Sequence, residues 1–168
     1  MIRPALVLLG FFTALTGLAI PLTLTLLPSE PVGDKVMREV VNAPDQFWSR
    51  PSAGTALSSS GSNLGPTNPA FLEAVKGRVE AIRKAHPGHD EPVPAELVTA
   101  SASGLDPHLS PEGAKYQVDR VALACGIERS ELLALIDSLT EPRFLGIFGE
   151  RRVNVLRLNE ALAKRTHP

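Results

Sequence analysis

The chain has 168 residues, about the length of one domain, with 17 Lys and Arg against 18 Asp and Glu and a formal charge of −1 at pH 7. So even a balance leaves no basic face for neutralising phosphates, which argues against nucleic-acid binding. A single cysteine, Cys125, rules out an intrachain disulfide and, by its position, an N-terminal lipoprotein anchor.

From Ala5 to Leu27 no residue is charged, a run longer than the ~20 residues that cross the hydrocarbon of a bilayer. Leu, Ile, Val and Phe dominate it, so insertion is favoured even after Gly, Thr and Pro21 are counted. A cleaved signal peptide would have a shorter apolar core and a small-x-small cleavage site. Here the run passes into Leu26-Leu27-Pro28-Ser29-Glu30 without one, and an uncleaved transmembrane helix over residues 1–28 is expected. Arg3 flanks its start, whereas Lys35 and Arg38 beyond its end lie among Glu30, Asp34 and Glu39. The positive-inside rule then places the N-terminus in the cytoplasm and the rest of the chain outside it.

Residues 29–46 read as a short polar connection with a helical turn around Lys35–Val41, and residues 47–168 as a soluble domain. Phe47-Trp48 before Arg50-Pro51 suits an anchoring point, and Ser52–Ser62 is of low complexity. Nearly every residue of Ser60–Pro69 is a turn former, a small residue or a helix cap. Asn68-Pro69 predicts a helix start, with Leu72, Val75, Val79 and Ile82 as its apolar stripe, Glu80 and Lys84 facing solvent, and Pro87-Gly88 as its end. Pro92–Thr99 reads as extended because prolines disfavour helix in the residues before them.

After a second small-residue loop, Ala100–Leu109, Ser110-Pro111 predicts another helix start. This helix carries Ala114, Val118, Val121, Ala122 and Cys125 inward and stops at Gly126. A third covers Arg129–Leu139, with Leu132, Leu135, Ile136 and Leu139 inward. Gly149-Glu150-Arg151-Arg152 reads as a charged turn, Arg152–Leu156 as a short strand and Leu158–Lys164 as a closing helix. The expected class is α+β: one N-terminal transmembrane helix, then a small, mainly helical extracytoplasmic domain with a short sheet.

Catalytic chemistry is sparse. Neither a phosphate-binding Gly-x-x-x-x-Gly-Lys-Ser/Thr loop nor a dinucleotide fingerprint occurs. His86, His89, Asp90 and Glu91 are close in sequence but sit in a proline-flanked segment that reads as solvated. Cys125 lies on an apolar stripe and reads as core. Among the loop serines Ser60, Ser62, Ser101 and Ser103, only His108 offers itself as a base. No catalytic and no metal-binding residue is therefore assigned.

Four segments are distinctive: Arg50-Pro51-Ser52-Ala53; Gly61-Ser62-Asn63-Leu64 through Asn68-Pro69; Val93-Pro94 through Thr99-Ala100-Ser101-Ala102-Ser103-Gly104-Leu105-Asp106; and Arg152-Val153-Asn154-Val155-Leu156 with Leu158-Asn159. In this order, behind a single span, they resemble the small C subunit of the Kdp potassium-transporting P-type ATPases, over nearly the whole chain. The resemblance implies a non-catalytic subunit of an inner-membrane complex. Its partners would be a channel-like A subunit that selects potassium, a P-type B subunit that hydrolyses ATP, a small F subunit and membrane lipid.

In that family the C subunit assembles or stabilises the complex, lies over the potassium entrance and is described as a catalytic chaperone raising the ATP affinity of the B subunit. ATP and potassium act at the level of the complex; no motif of this chain binds either. The resemblance makes Arg50, Pro51, Ser62, Asn63, Leu64, Asn68, Ser101, Ser103, Asp106 and Asn154 the expected partner contacts. The chain departs from the family in its short Glu30–Gln46 connection, which lacks a Gly-Ser-Leu-Ile and an Ile-Gly-Gln element, and in Glu131 standing where a nucleotide-linked glutamine is usual. A second expectation, of a different class, is a membrane-anchored extracytoplasmic enzyme or small-ligand binder using the Ser, His and Asn loops.

Overall fold

The structure, a computed structural model, describes residues 2–26, 43–53 and 60–166. It divides into two compact units, one holding the N-terminal apolar helix and the other the remaining described residues. The turn expected around Lys35–Val41, most of the connection and the middle of the Ser52–Ser62 run lie outside the described residues.

The first unit is α1 (Ile2–Ala14), a π-helical turn (Leu15–Ala19) and α2 (Ile20–Leu26). Within it Arg3–Leu26 is 24 residues long with a mean hydropathy of 2.1, about 36 Å of helix against a hydrocarbon layer of about 30 Å. The wide turn has a local cause. Pro21 has no N–H, and its ring would meet the carbonyl of residue 17 in a regular helix. The π turn, in which Ile20 N–H donates to Leu15 O, falls just ahead of that proline. Thr16, Thr23 and Thr25 donate their hydroxyls to the carbonyls of Phe12, Ile20 and Leu22 at 2.7, 2.8 and 2.9 Å, so they ask nothing of an apolar surrounding.

In the second unit α3 (Pro69–Ala85) is followed by α4 (Ala95–Val98), β1 (His108–Leu109), α5 (Pro111–Lys115), α6 (Val118–Cys125), α7 (Arg129–Leu139), β2 (Thr140–Glu141), β3 (Arg152–Asn154) and α8 (Val155–Thr166). The sheet has the order β1-β3-β2 and is antiparallel throughout. His108 faces Asn154, and Leu109 and Thr140 flank Val153, which is fully buried on the central strand. Helix α7 packs on α5, α6, α8 and β3, so its Leu132, Leu135 and Ile136 form the middle of the core.

Several expectations are corrected. Of the expected stripe of α3, Ile82 is buried and Val75 and Val79 pack against the core, but Leu72, in the first turn, is 54% exposed because that turn runs past the core. Ala95–Val98 is a helical turn, not extended; Pro94 constrains the residue before it but is itself a good start for the turn that follows. The helix expected from Pro111 to Cys125 is broken at Tyr116–Gln117. Gln117 N–H donates to Ala114 O at 3.1 Å, and the Gly113 carbonyl that it would have used accepts the Gln117 side-chain amide instead, at 3.3 Å. Val155 and Leu156 belong to α8, not to the strand, because the Asn154 side-chain Oδ1 accepts from Leu156 and Arg157 N–H and starts the helix. Cys125 is half-buried at the edge of the core rather than inside it.

Segment 43–48 is held by side chains. Asn159 forms a two-bond amide pair with Phe47, accepting its N–H at 2.8 Å and donating to its carbonyl at 3.0 Å. Gln117 does the same for Trp48, at 2.7 and 3.0 Å. Arg120 fills every donor of its guanidinium: Nε to His86 Nε2 at 3.1 Å, one terminal nitrogen to the carbonyls of Ala43 and Pro44 at 3.0 and 2.6 Å, the other to Gln46 O and Gln117 Oε1, both at 2.9 Å. Its charge also lies 4.3 Å above the Trp48 ring. Phe47 thereby becomes one of the largest fully buried side chains.

Burial pulls the Arg120 guanidinium down to about 10, still protonated at neutral pH. Burial, reinforced by the charge of Arg120, also holds the His86 imidazole below its ordinary value, although the Ile82 carbonyl works the other way. The neutral ring carries its proton on Nδ1, donated to Ile82 O at 2.8 Å, which leaves Nε2 to accept from Arg120.

Two predictions follow from this network. Arg120→Lys keeps the charge but strands several carbonyls, and is expected to cost roughly 2–4 kcal/mol in urea denaturation of the full chain in detergent; a loss below experimental error would show the fork to be dispensable. For pH, a histidine depressed in the folded state leaves the unfolded chain binding more protons just below about pH 6.5. Stability tied to His86 is therefore complete above that value and is lost as the pH falls. The wild type is expected to weaken between pH 7 and 5.5 more steeply than His86→Gln, and equal slopes would remove His86 from this role.

Candidate functional site

The small-residue loops meet in space. Ser101 N–H donates to Pro51 O at 3.1 Å, and Ser52 Oγ donates to Gly104 O at 2.5 Å. Gly61 closes the group from the third segment: a Cβ there would stand 2.9 Å from the Ala102 carbonyl oxygen, a contact only glycine avoids. Segments 50–52 and 101–106 are thus joined, with Gly61 packed against them.

Hydroxyls and carboxylates shape their backbone. Buried Ser101 bonds the Ser103 hydroxyl at 3.1 Å and accepts Gly104 N–H at 3.2 Å, while Ser103 Oγ accepts Leu105 N–H at 3.1 Å. Asp106 is the hub. Its Oδ1 accepts from His108 N–H at 3.1 Å and lies 3.0 Å from His108 Nδ1; its Oδ2 pairs with Arg50 at 3.3 Å. The Arg50 Nε is buried with no hydrogen-bond partner among the described residues.

Of the expected contact residues, Arg50, Pro51, Ser101, Ser103 and Asp106 come together here. Ser62, Asn63 and Leu64 follow Gly61 and are exposed, Asn63 in the left-handed region at φ 53°. Asn68 and Asn154 have structural duties: the first accepts Ala70 N–H at 2.9 Å to cap α3, and the second starts α8.

His86 and His89 do not build a metal site with their acidic neighbours. His86 is committed to Arg120 and Ile82, and among the described residues no His, Cys, Asp and Glu group could hold a metal ion. Sequence reasoning assigned no role to Gln117 and Arg120, although polar side chains three apart beside the inward Val118 and Val121 were a visible signal, and Asn159 stood out only as part of a distinctive segment.

A model of the family described as "KdpC: K+-transporting ATPase, c chain" matches residues 2–164. The chain belongs to the KdpC family. Relatives named potassium-transporting ATPase KdpC subunit include those of Variovorax paradoxus (48% identical; 96% of this chain and 95% of the relative), Polaromonas naphthalenivorans (47%; 96% and 93%) and Sorangium cellulosum (47%; 96% of each). The Polaromonas alignment extends over 183 positions, more than the 168 residues of this KdpC-family chain, so the relative carries residues inside the matched region that this chain lacks.

Gly61→Ala tests how tightly the loops are locked. The added methyl must separate Gly61 from Ala102, with an expected cost of about 1–2 kcal/mol in thermal or urea unfolding. A neutral result would show that the two loops move apart freely.

Proposed function

We propose that this chain is the non-catalytic C subunit of an ATP-driven potassium importer, holding a channel-like A subunit, a P-type B subunit and a small F subunit together. The family membership gives a role in potassium transport. The observation that carries the finer reading is how the loop polar groups are used: Ser101, Ser103 and Asp106 bond the loop backbone and so shape a fixed surface, as a docking face requires. In this reading the span Arg3–Leu26 lies in the inner membrane with its N-terminus in the cytoplasm, and the domain sits outside over the potassium entrance.

ATP and potassium act on the partners, not on this chain. A domain on the outer side cannot touch cytoplasmic ATP, so any rise in the ATP affinity of the B subunit is transmitted through the span. Exposed Glu131, in place of the family's glutamine, fits an indirect effect. The residues that the relatives carry in addition are assigned to the Glu30–Gln46 connection, which is short in this chain.

Co-expression with the A and B subunits tests the reading. The three are expected to co-purify in mild detergent, and Asp106→Ala or Asn63→Ala to lower the recovered complex while the isolated chain remains folded. A potassium-stimulated ATPase that is intact without this chain, or turnover of a substrate by the chain alone, would contradict it.

A further inference from the structure

Residues 43–46 are where the connection enters the described domain, and one buried cation holds them. Arg120 takes the carbonyls of Ala43, Pro44 and Gln46. Trp48 Nε1–H closes the same knot on Ala43 O at 2.8 Å, and the Cys125 thiol adds a bond to Asp45 O at 3.3 Å. Phe47 and Trp48 have amide pairs of their own, so residues 43–46 are the part of the segment that depends on Arg120.

Arg120 is in turn seated on a histidine. His86, 5% exposed at the end of α3, has both ring nitrogens committed: Nδ1 donates to Ile82 O and Nε2 accepts from Arg120 Nε at 3.1 Å. A proton on Nε2 would set N–H against N–H and bring two cations together inside the fold.

The surrounding groups do not cancel that repulsion. Arg83 and Lys84, in the last turn of α3, are positive as well. On α6, Asp119 is half exposed and already paired with Arg129 at 2.6 Å, and Cys125 is a thiol whose ionisation burial disfavours. Asp45 acts on Arg120 from an exposed position. His89 stacks edge-on against His86, with Asp119 and Glu91 at 3.8 and 3.6 Å from its nitrogens. Tyr116, kept neutral by burial, and Trp48 supply rings at 5.3 and 5.8 Å. A cleft of about 500 Å³ lined by Pro44, His86, Asp119 and Arg120 gives the displaced group a path to water.

We propose that His86 is an acid-operated latch: a proton on its Nε2 displaces Arg120 and frees residues 43–46, while the core around α7 stays folded. Release is local because every bond of Arg120 goes to segment 43–48, His86 or Gln117, and none to α7. A proton bound only in the released form raises the ratio of released to latched molecules about tenfold per pH unit below about 6.5. The latch acts on transport only under the assembly reading above, which places the domain outside, where external acid is the signal.

Hydrogen exchange of the indole N–H of Trp48, the single tryptophan of the chain, reads release in the full chain in detergent. Corrected for the intrinsic rate, its protection is expected to fall by up to about tenfold between pH 6.5 and 5.5 while the amides of α7 keep theirs. The fall should level off where the His86 ring resonances titrate, a reading that needs no variant. His86→Gln, whose amide oxygen accepts from Arg120 without taking up a proton, should give a flat profile, and His89→Gln the wild-type one. A flat wild type, an equal fall in His86→Gln, or α7 losing protection in step with the indole would overturn the latch. In the co-expressed complex, the acid limb of potassium-stimulated ATPase should move to lower pH in His86→Gln; identical limbs would overturn its role in transport. If the wild-type chain fails to co-purify, the assembly reading falls, and the exchange profile still decides the latch.

Discussion

The buried guanidinium of Arg120 is the constraint around which the second unit is organised. A charge in a core is tolerated only when every donor is satisfied and nearby dipoles replace water. Here the acceptors are the carbonyls of Ala43, Pro44 and Gln46, the amide of Gln117 and the neutral ring of His86. The fork therefore dictates where three separate pieces go: segment 43–48, the end of α3 and the start of α6. Gln117 and Asn159 extend the pattern, each reading one residue of the segment as a neighbouring strand would. Segment 43–48 is consequently part of the core and not a tail, tied by side chains at the start of α6 and within α8.

Much of this fold was legible where a residue's local chemistry decides its conformation. Asn68-Pro69, Ser110-Pro111 and Gly126 mark helix limits in the sequence and do so in the structure, through a capped N–H in the first two cases and a left-handed C-cap in the third. The Arg129–Leu139 helix follows directly from its apolar spacing. Errors occur where tertiary partners override local preference. The break at Gln117 exists because its amide serves Trp48; the early end of β3 is a local effect instead, the Asn154 side chain capping α8. Strands of two residues, such as β1 and β2, are too short to leave a period in the sequence.

The joined loops were legible in part for the same reason. Turn chemistry pointed to the two small-residue loops, but only the structure brings Gly61 against Ala102 and ties Pro51 and Ser52 to Ser101 and Gly104, and only there does Asp106 emerge as the link between Arg50 and His108. Asn68 and Asn154, grouped with the loops by family resemblance, are occupied in capping helices. The apolar tip at Phe144–Phe148, between β2 and β3, gives the opposite lesson. In sequence it resembles any hydrophobic stretch between two elements, and only exposure combined with a left-handed leucine separates it from core.

Amide hydrogen exchange at Phe47 and Trp48, read in the full chain, tests the organising claim most directly. Both N–H groups are donated to buried side-chain oxygens, so exchange is predicted to be as slow as in the middle of α7 and to require global opening. Exchange at the rate of an exposed loop, with α7 still protected, would contradict the claim that segment 43–48 is built into the core.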